Sequence, residues 1–129
     1  MKEQYISALM VAPGLKPTPI RLENTLEALQ QAVSLNISYR GLIEIIPLET
    51  DVCLVCNEEG KFLSLPGNRR LGNDIITGVF YVVGSNDEGD LTSLPHDAMS
   101  KYTEVFKTPE SFSDSEVASS IFFDFKSFY

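Results

Sequence analysis

The residues best suited to chemistry lie in one short stretch, "LPGNRRLGND", where Asn68, Arg69 and Arg70 are bracketed by Gly67 and Gly72. Guanidinium forks match carboxylate and phosphate oxygens in bidentate geometry. Flanking glycines let main-chain N–H groups approach an anion closely. The three residues, with Asn57 from the preceding turn, form the candidate set for a small anionic or nucleotide ligand. The competing expectation is that one arginine pairs with Glu58, Glu59 or Asp74 and pins the loop. A P-loop is excluded, because the Gly-Lys-Ser/Thr ending is missing.

Other reactive types are sparse. Cys53 and Cys56 lie in "VCLVCN", a strand-like run in which residues three apart point to opposite faces. That geometry disfavours a disulfide or a shared metal and predicts two buried structural thiols. Glu58 and Glu59 sit in "NEEGK", where adjacent acids read as a solvated turn. "DEGD" at 87–90 lacks the spacing and distal glutamate of a calcium loop. His96 is the single histidine, and no nucleophile elbow surrounds Ser93. An enzyme would require His96, Asp90 and a loop residue to converge in one cleft. No triad, metal centre or cofactor fingerprint is present, so the expectation is a non-enzymatic protein with no catalytic residue, metal or cofactor.

Charge narrows the partners. Ten Lys and Arg face eighteen Asp and Glu, a net charge of −8 in 129 residues. An acidic chain lacks the basic face that binds a phosphate backbone, so direct nucleic-acid binding is not expected. The same surface suits a protein partner, including an acidic mimic of DNA that inhibits a host defence enzyme. Such a mimic predicts acids gathered on one face and association that weakens with salt. No apolar window is long enough to span a bilayer, and the start of the chain is a poor signal peptide, so a cytoplasmic location is expected.

The elements that must hold these residues follow from periodicity and turn residues. Residues 5–12 read as a first strand and 18–22 as an edge strand, because Pro19 cannot donate to a ladder. Asn24 reads as a helix cap with Glu27 three residues on, and Leu26, Leu29 and Val33 recur on one helix face over about 25–33. Residues 42–48 form a strand. Residues 52–57 and 61–65 are expected to pair as a hairpin through "NEEGK", with Gly60 supplying a positive φ. Residues 75–83 read as one central strand in which Gly78 marks a bulge or close packing. Leu91–Leu94 is a short strand. Pro95 opens a helix with the stripe Met99, Tyr102 and Phe106, which Pro109 ends.

Ser113 and Glu116 have capping-box spacing ahead of an aromatic tail. Val117, Ile121, Phe125 and Phe128 recur at helical intervals, although a strand over 121–129 also fits. Phe122, Phe125, Phe128 and Tyr129 are the candidate interaction surface, against the domain or another chain, including a homo-oligomer contact. The pattern predicts an α+β class: a mainly antiparallel sheet with two or three helices, whose opening β-β-α-β unit is compatible with a β-grasp-like arrangement. Residues 1–110 form the single domain and 111–129 its aromatic extension.

Six stretches carry a resemblance: Asn24–Gln30, Ile43–Leu48, Val55–Lys61, Leu65–Arg69, Asp74–Gly84 and Gly89–Leu94. Over about residues 8–107 the chain resembles the family called domain of unknown function 3846. The insert "SLNISYR" and the tail after Pro109 lie outside the pattern. The resemblance implies a small single domain in a phage, plasmid or conjugative-element setting. It transfers no chemistry to any residue.

Overall fold

A computed structural model describes residues 3–35 and 41–126, with side chains described as far as residue 120. The described chain is α+β. Strands β1 (Tyr5–Val11), β2 (Thr18–Glu23), β3 (Ile43–Glu49), β4 (Val52–Asn57), β7 (Phe80–Ser85) and β8 (Leu91–Thr92) form the main sheet. Strands β5 (Gly67–Leu71) and β6 (Asp74–Thr77) form a separate two-stranded ribbon. The helices are α1 (Leu26–Ala32), α2 (His96–Val105) and α3 (Asp114–Lys126).

The sheet order is β2-β1-β7-β4-β3, with β8 beside the end of β7, and every pairing is antiparallel. Pro19 lies in the edge strand β2, where its missing N–H leaves no gap in a ladder. The opposite edge, β3, carries Pro47. Both edges are thereby blunted against pairing with another chain.

Period-two alternation divides the core between the two faces. Ile6, Cys53, Val55, Tyr81 and Val83 pack with Leu29 and Val33 of the α1 segment. Leu9, Val11, Leu54, Cys56, Phe80 and Val82 pack with Ala98, Tyr102 and Phe106 of the α2 segment. The Phe106 ring meets Phe80 edge-on at 5.1 Å. Cys53 and Cys56 thus belong to opposite faces, and both are free buried thiols.

Four local expectations are corrected. Residues 61–65 are not a strand. Both sides of β4 are already taken, by β3 and β7, so the chain turns instead, with Leu63 N–H bonded to Glu59 O and Leu65 N–H to Gly60 O. Gly60 is not in the positive-φ region; its Cα lies against Thr77, where a Cβ would sit 2.3 Å from Oγ1. The run 75–83 is two strands, not one. Gly78, at φ 72°, breaks it and sends β6 to the ribbon and β7 to the sheet centre. Finally, α1 is capped by Thr25, whose hydroxyl accepts from Ala28 N–H, and Leu26 is exposed. Asn24 is buried instead, and its amide donates to Glu3 O and Leu91 O.

Candidate functional site

The stretch that holds the arginines is strand, not loop. Gly67–Leu71 pairs with β6 in register Arg69↔Ile76 and Arg70↔Ile75, and Gly72 makes the turn at φ 61°. The pairing shifts register between Gly67 and Arg69, an irregularity that lets the neighbours Asn68 and Arg69 both turn inward, while alternation resumes at Arg70, which turns outward. Asn68 and Arg69 are 0% and 1% exposed. The Asn68 amide donates to Val11 O and Gly78 O, each at 2.8 Å, and its Oδ1 accepts from Arg69. The Arg69 guanidinium donates to Phe106 O at 3.0 Å, Asn68 O at 3.1 Å, Asn68 Oδ1 at 2.8 Å and Leu15 O at 2.6 Å. Burial lowers the pKa of this guanidinium, and the nearby Glu110 carboxylate opposes the shift. The pair ties the ribbon to the end of β1, the β1–β2 turn and the end of α2. Neither residue faces solvent, which corrects the expectation that both line an anion loop.

Arg70 points outward. Its guanidinium lies over the Phe112 ring at 5.3 Å and 3.7 Å from Glu116 Oε2. Its main-chain N–H donates to Glu110 Oε2 at 3.0 Å. Phe112 packs on Gly67, where a Cβ would come within 2.8 Å of the ring. The segment then enters α3 through a reciprocal cap: Glu116 N–H bonds Ser113 Oγ at 3.1 Å and Ser113 N–H bonds Glu116 Oε1 at 2.9 Å. Hydrogen bonding of the carboxylate to the Ser113 main chain first, and to the Ser113 side chain second, lowers the Glu116 pKa, and Arg70 adds to the shift.

Two clefts flank α3. One of about 380 Å3 is lined by Arg70, Asn73, Ile75, Ser115, Glu116, Ser119 and Ser120. The other, of about 840 Å3, lies between the Pro13–Gly14 turn, residues 61–67 and the segment Glu110–Ala118. Lys61 on its wall is paired with Asp74. Sequence reasoning passed over Glu110 and Phe112 entirely. The one available signal was Gly67, read there as a loop boundary.

The remaining candidates separate. Asn57 is 5% exposed; its amide donates to Val33 O and its Oδ1 accepts from Glu59 N–H, so it braces the turn after β4. His96 is exposed at the start of α2, and neither it nor Asp90 lines either cleft. Ser93 Oγ accepts from Ser7 N–H and donates to Glu3 Oε2. Among the described residues, no group of three or more His, Cys, Asp or Glu could hold a metal ion. No described helix is long and apolar enough to cross a membrane. Of the aromatic surface, Phe122 and Phe125 fall within α3 but their side chains, and Phe128 and Tyr129 altogether, lie outside the described residues.

The topology gathers acids at one end of the sheet. The pairings Tyr5↔Glu23, Val52↔Gly84 and Gly84↔Thr92 bring the start of β1, the end of β2, the β3–β4 turn and the β7–β8 turn together. Glu3, Glu23, Asp51, Asp87, Glu88 and Asp90 all belong to this end, and among the described residues none is in an ion pair. Lys61 pairs with Asp74, Arg70 with Glu116 and Lys107 with Glu104 away from this end, whereas Lys101 pairs with Glu49 at the end of β3 and Arg21 of β2 lies over the Tyr5 ring at 4.8 Å.

A family model described as "Domain of unknown function (DUF3846)" matches residues 6–107. That span covers both layers of the core and the Asn68–Arg69 pair and stops before Glu110. No curated protein and no solved structure matches the chain. The chain belongs to the DUF3846 family.

Proposed function

We infer that this protein is a small, non-enzymatic cytoplasmic binding domain of phage or mobile-element type, which docks its acidic end on a basic face of a protein partner. The observation that supports this reading is the end of the sheet bearing Glu3, Glu23, Asp51, Asp87, Glu88 and Asp90, none of which is in an ion pair among the described residues. Like charges that the fold gathers and leaves uncompensated set up a field that steers a complementary surface. A partner that handles DNA has such a basic surface, and the acidic end would then compete with the nucleic acid for it.

The test is affinity capture from a host lysate with wild type and with a Glu23→Gln/Asp51→Asn/Asp87→Asn/Glu88→Gln variant, at low and high salt. A protein retained by wild type at low salt, released by salt and absent from the variant supports the reading. A protein held equally by both, or insensitive to salt, refutes it.

A second reading rests on Arg70, the one arginine of the candidate set that faces outward, in the smaller cleft with Asn73, Ser115, Ser119 and Ser120. A small anion would take the place of Glu116 on that guanidinium. A thermal-shift panel of inorganic phosphate and nucleotides, on wild type and Arg70→Ala, tests it. A ligand at 100 times its dissociation constant stabilises a fold by about 2.7 kcal/mol. The absence of any shift sinks this reading.

A further inference from the structure

We propose that the outer edge of β5 is a docking edge for an extended segment of a partner protein carrying a carboxylate and an aromatic residue two positions apart, and that Glu110-Ser111-Phe112 of this chain holds that edge in its absence. The inference goes beyond the acidic end and concerns a different surface, so either can fail without the other.

The edge is unlike the other two. Both margins of the main sheet carry a proline, Pro19 in β2 and Pro47 in β3, whereas Gly67–Leu71 carries none and pairs only with β6. Beyond the register shift between Gly67 and Arg69, a two-stranded ribbon with a proline-free edge is the kind of template on which an extended peptide adds a strand. The Arg70 N–H points away from β6, and what it meets is a side chain, Glu110 Oε2 at 3.0 Å. No main-chain hydrogen bond joins residues 109–113 to β5 among the described residues.

The cover is also specific in chemistry. Gly67 lacks the Cβ that would stand 2.8 Å from the Phe112 ring, and its φ is not positive, so the close approach of the ring, not the backbone conformation, is what requires glycine here. Arg70 lies over the same ring at 5.3 Å. A carboxylate on a main-chain N–H and an aromatic over a glycine, two residues apart, fit the period of a strand. The cleft of about 840 Å3 beside Gly67, Glu110 and Phe112 leaves room for an incoming chain. The family-matched span ends at residue 107, so the edge belongs to the domain while its cover is an appendage. A tethered occupant of this kind competes through its high effective concentration rather than through tight contacts.

The experiment uses full-length protein and a fluorescein-labelled peptide of residues 107–120, read by anisotropy. Phe112→Ala in the protein vacates the edge and should bind the peptide at least tenfold more tightly than wild type does. Replacing the phenylalanine or the first glutamate of the peptide should abolish that gain. Glu110→Gln is the second variant, for use if Phe112→Ala fails the circular-dichroism check of folding; it should bind the peptide more tightly than wild type. Equal binding by wild type and a folded variant, or equal binding of a scrambled peptide, overturns the proposal. Concentration-dependent dimerisation of wild type that Phe112→Ala abolishes would overturn it in favour of a second copy as occupant.

Discussion

Replacing Arg69 with methionine removes a charged donor from a site that is 1% exposed. The guanidinium makes four hydrogen bonds there, and Phe106 O, Leu15 O and Asn68 Oδ1 lose their donor together. Each buried acceptor left without a partner costs about 1–3 kcal/mol. Part of this is offset, because methionine needs no desolvation of a charge, which is itself worth several kcal/mol. The net loss expected is about 3–5 kcal/mol, a large share of the roughly 5–15 kcal/mol that holds a domain together. With a urea m-value of about 2 kcal/mol/M, the unfolding midpoint should fall by roughly 2 M. Arg70→Met is the internal control. Its ion pair to Glu116 has both side chains 49% exposed, so its loss should cost under about 1 kcal/mol. Urea titrations followed by circular dichroism compare the two directly. If Arg69→Met stays within about 1 kcal/mol of wild type, or Arg70→Met is the more damaging, the assignment of Arg69 to structure and Arg70 to the surface is wrong.

Two further outcomes are expected. Burial first, and the Glu44 carboxylate second, push the Cys56 thiol up to about 12, and burial raises Cys53, with a Ser85 hydrogen bond opposing it. Neither thiol should react with a disulfide reagent in the native protein at neutral to mildly alkaline pH, whereas both should titrate in urea; fast native labelling of either would contradict the packing. The Glu116 carboxylate is held below its usual range by Ser113, so its folded pKa lies under the unfolded one. Its contribution is present above the unfolded value and is lost as pH falls through the lowered folded value. Amide exchange at Ser113–Val117 should stay slow through the ordinary carboxylate range and quicken only below it, and early fraying at mildly acid pH would refute the cap.

The fold class was legible because alternation and turn residues act locally. Pro19 announced an edge, and "VCLVCN" announced two thiols on opposite faces. What the sequence did not reveal was which strands are neighbours. The stretch 52–65 looked like a hairpin because its halves are adjacent in sequence, yet β7 returns from 23 residues further on to take the place beside β4. That insertion depends on Gly78 breaking a run of β-formers that reads as one strand. Likewise Asn24 has the residue type of a cap, but Leu91 O of β8 and Glu3 O recruit its amide, and Thr25 caps instead. Tertiary competition for a polar side chain leaves no trace in the local pattern.

Asn68 and Arg69 read from sequence as part of an anion loop for a related reason that bears on how the family motif is understood. Adjacent arginines on a glycine-bounded stretch suggest a pair acting together, yet strand geometry sends Arg69 inward and Arg70 outward, and the register shift between Gly67 and Arg69 turns Asn68 inward as well. Of the stretch Leu65–Arg69 that carries the resemblance, the last two residues are both wholly enclosed, and besides bonding each other they donate to main-chain oxygens of β1, the β1–β2 turn, Gly78 and Phe106 at the end of α2. An asparagine followed by an arginine is what such a junction requires: one amide that both donates and accepts, and one fork long enough to reach two further elements. The motif therefore marks how the ribbon is fastened to the sheet. In this chain the fastening leaves outside it Arg70 with its Glu110–Phe112 cover, and the acidic end of the sheet.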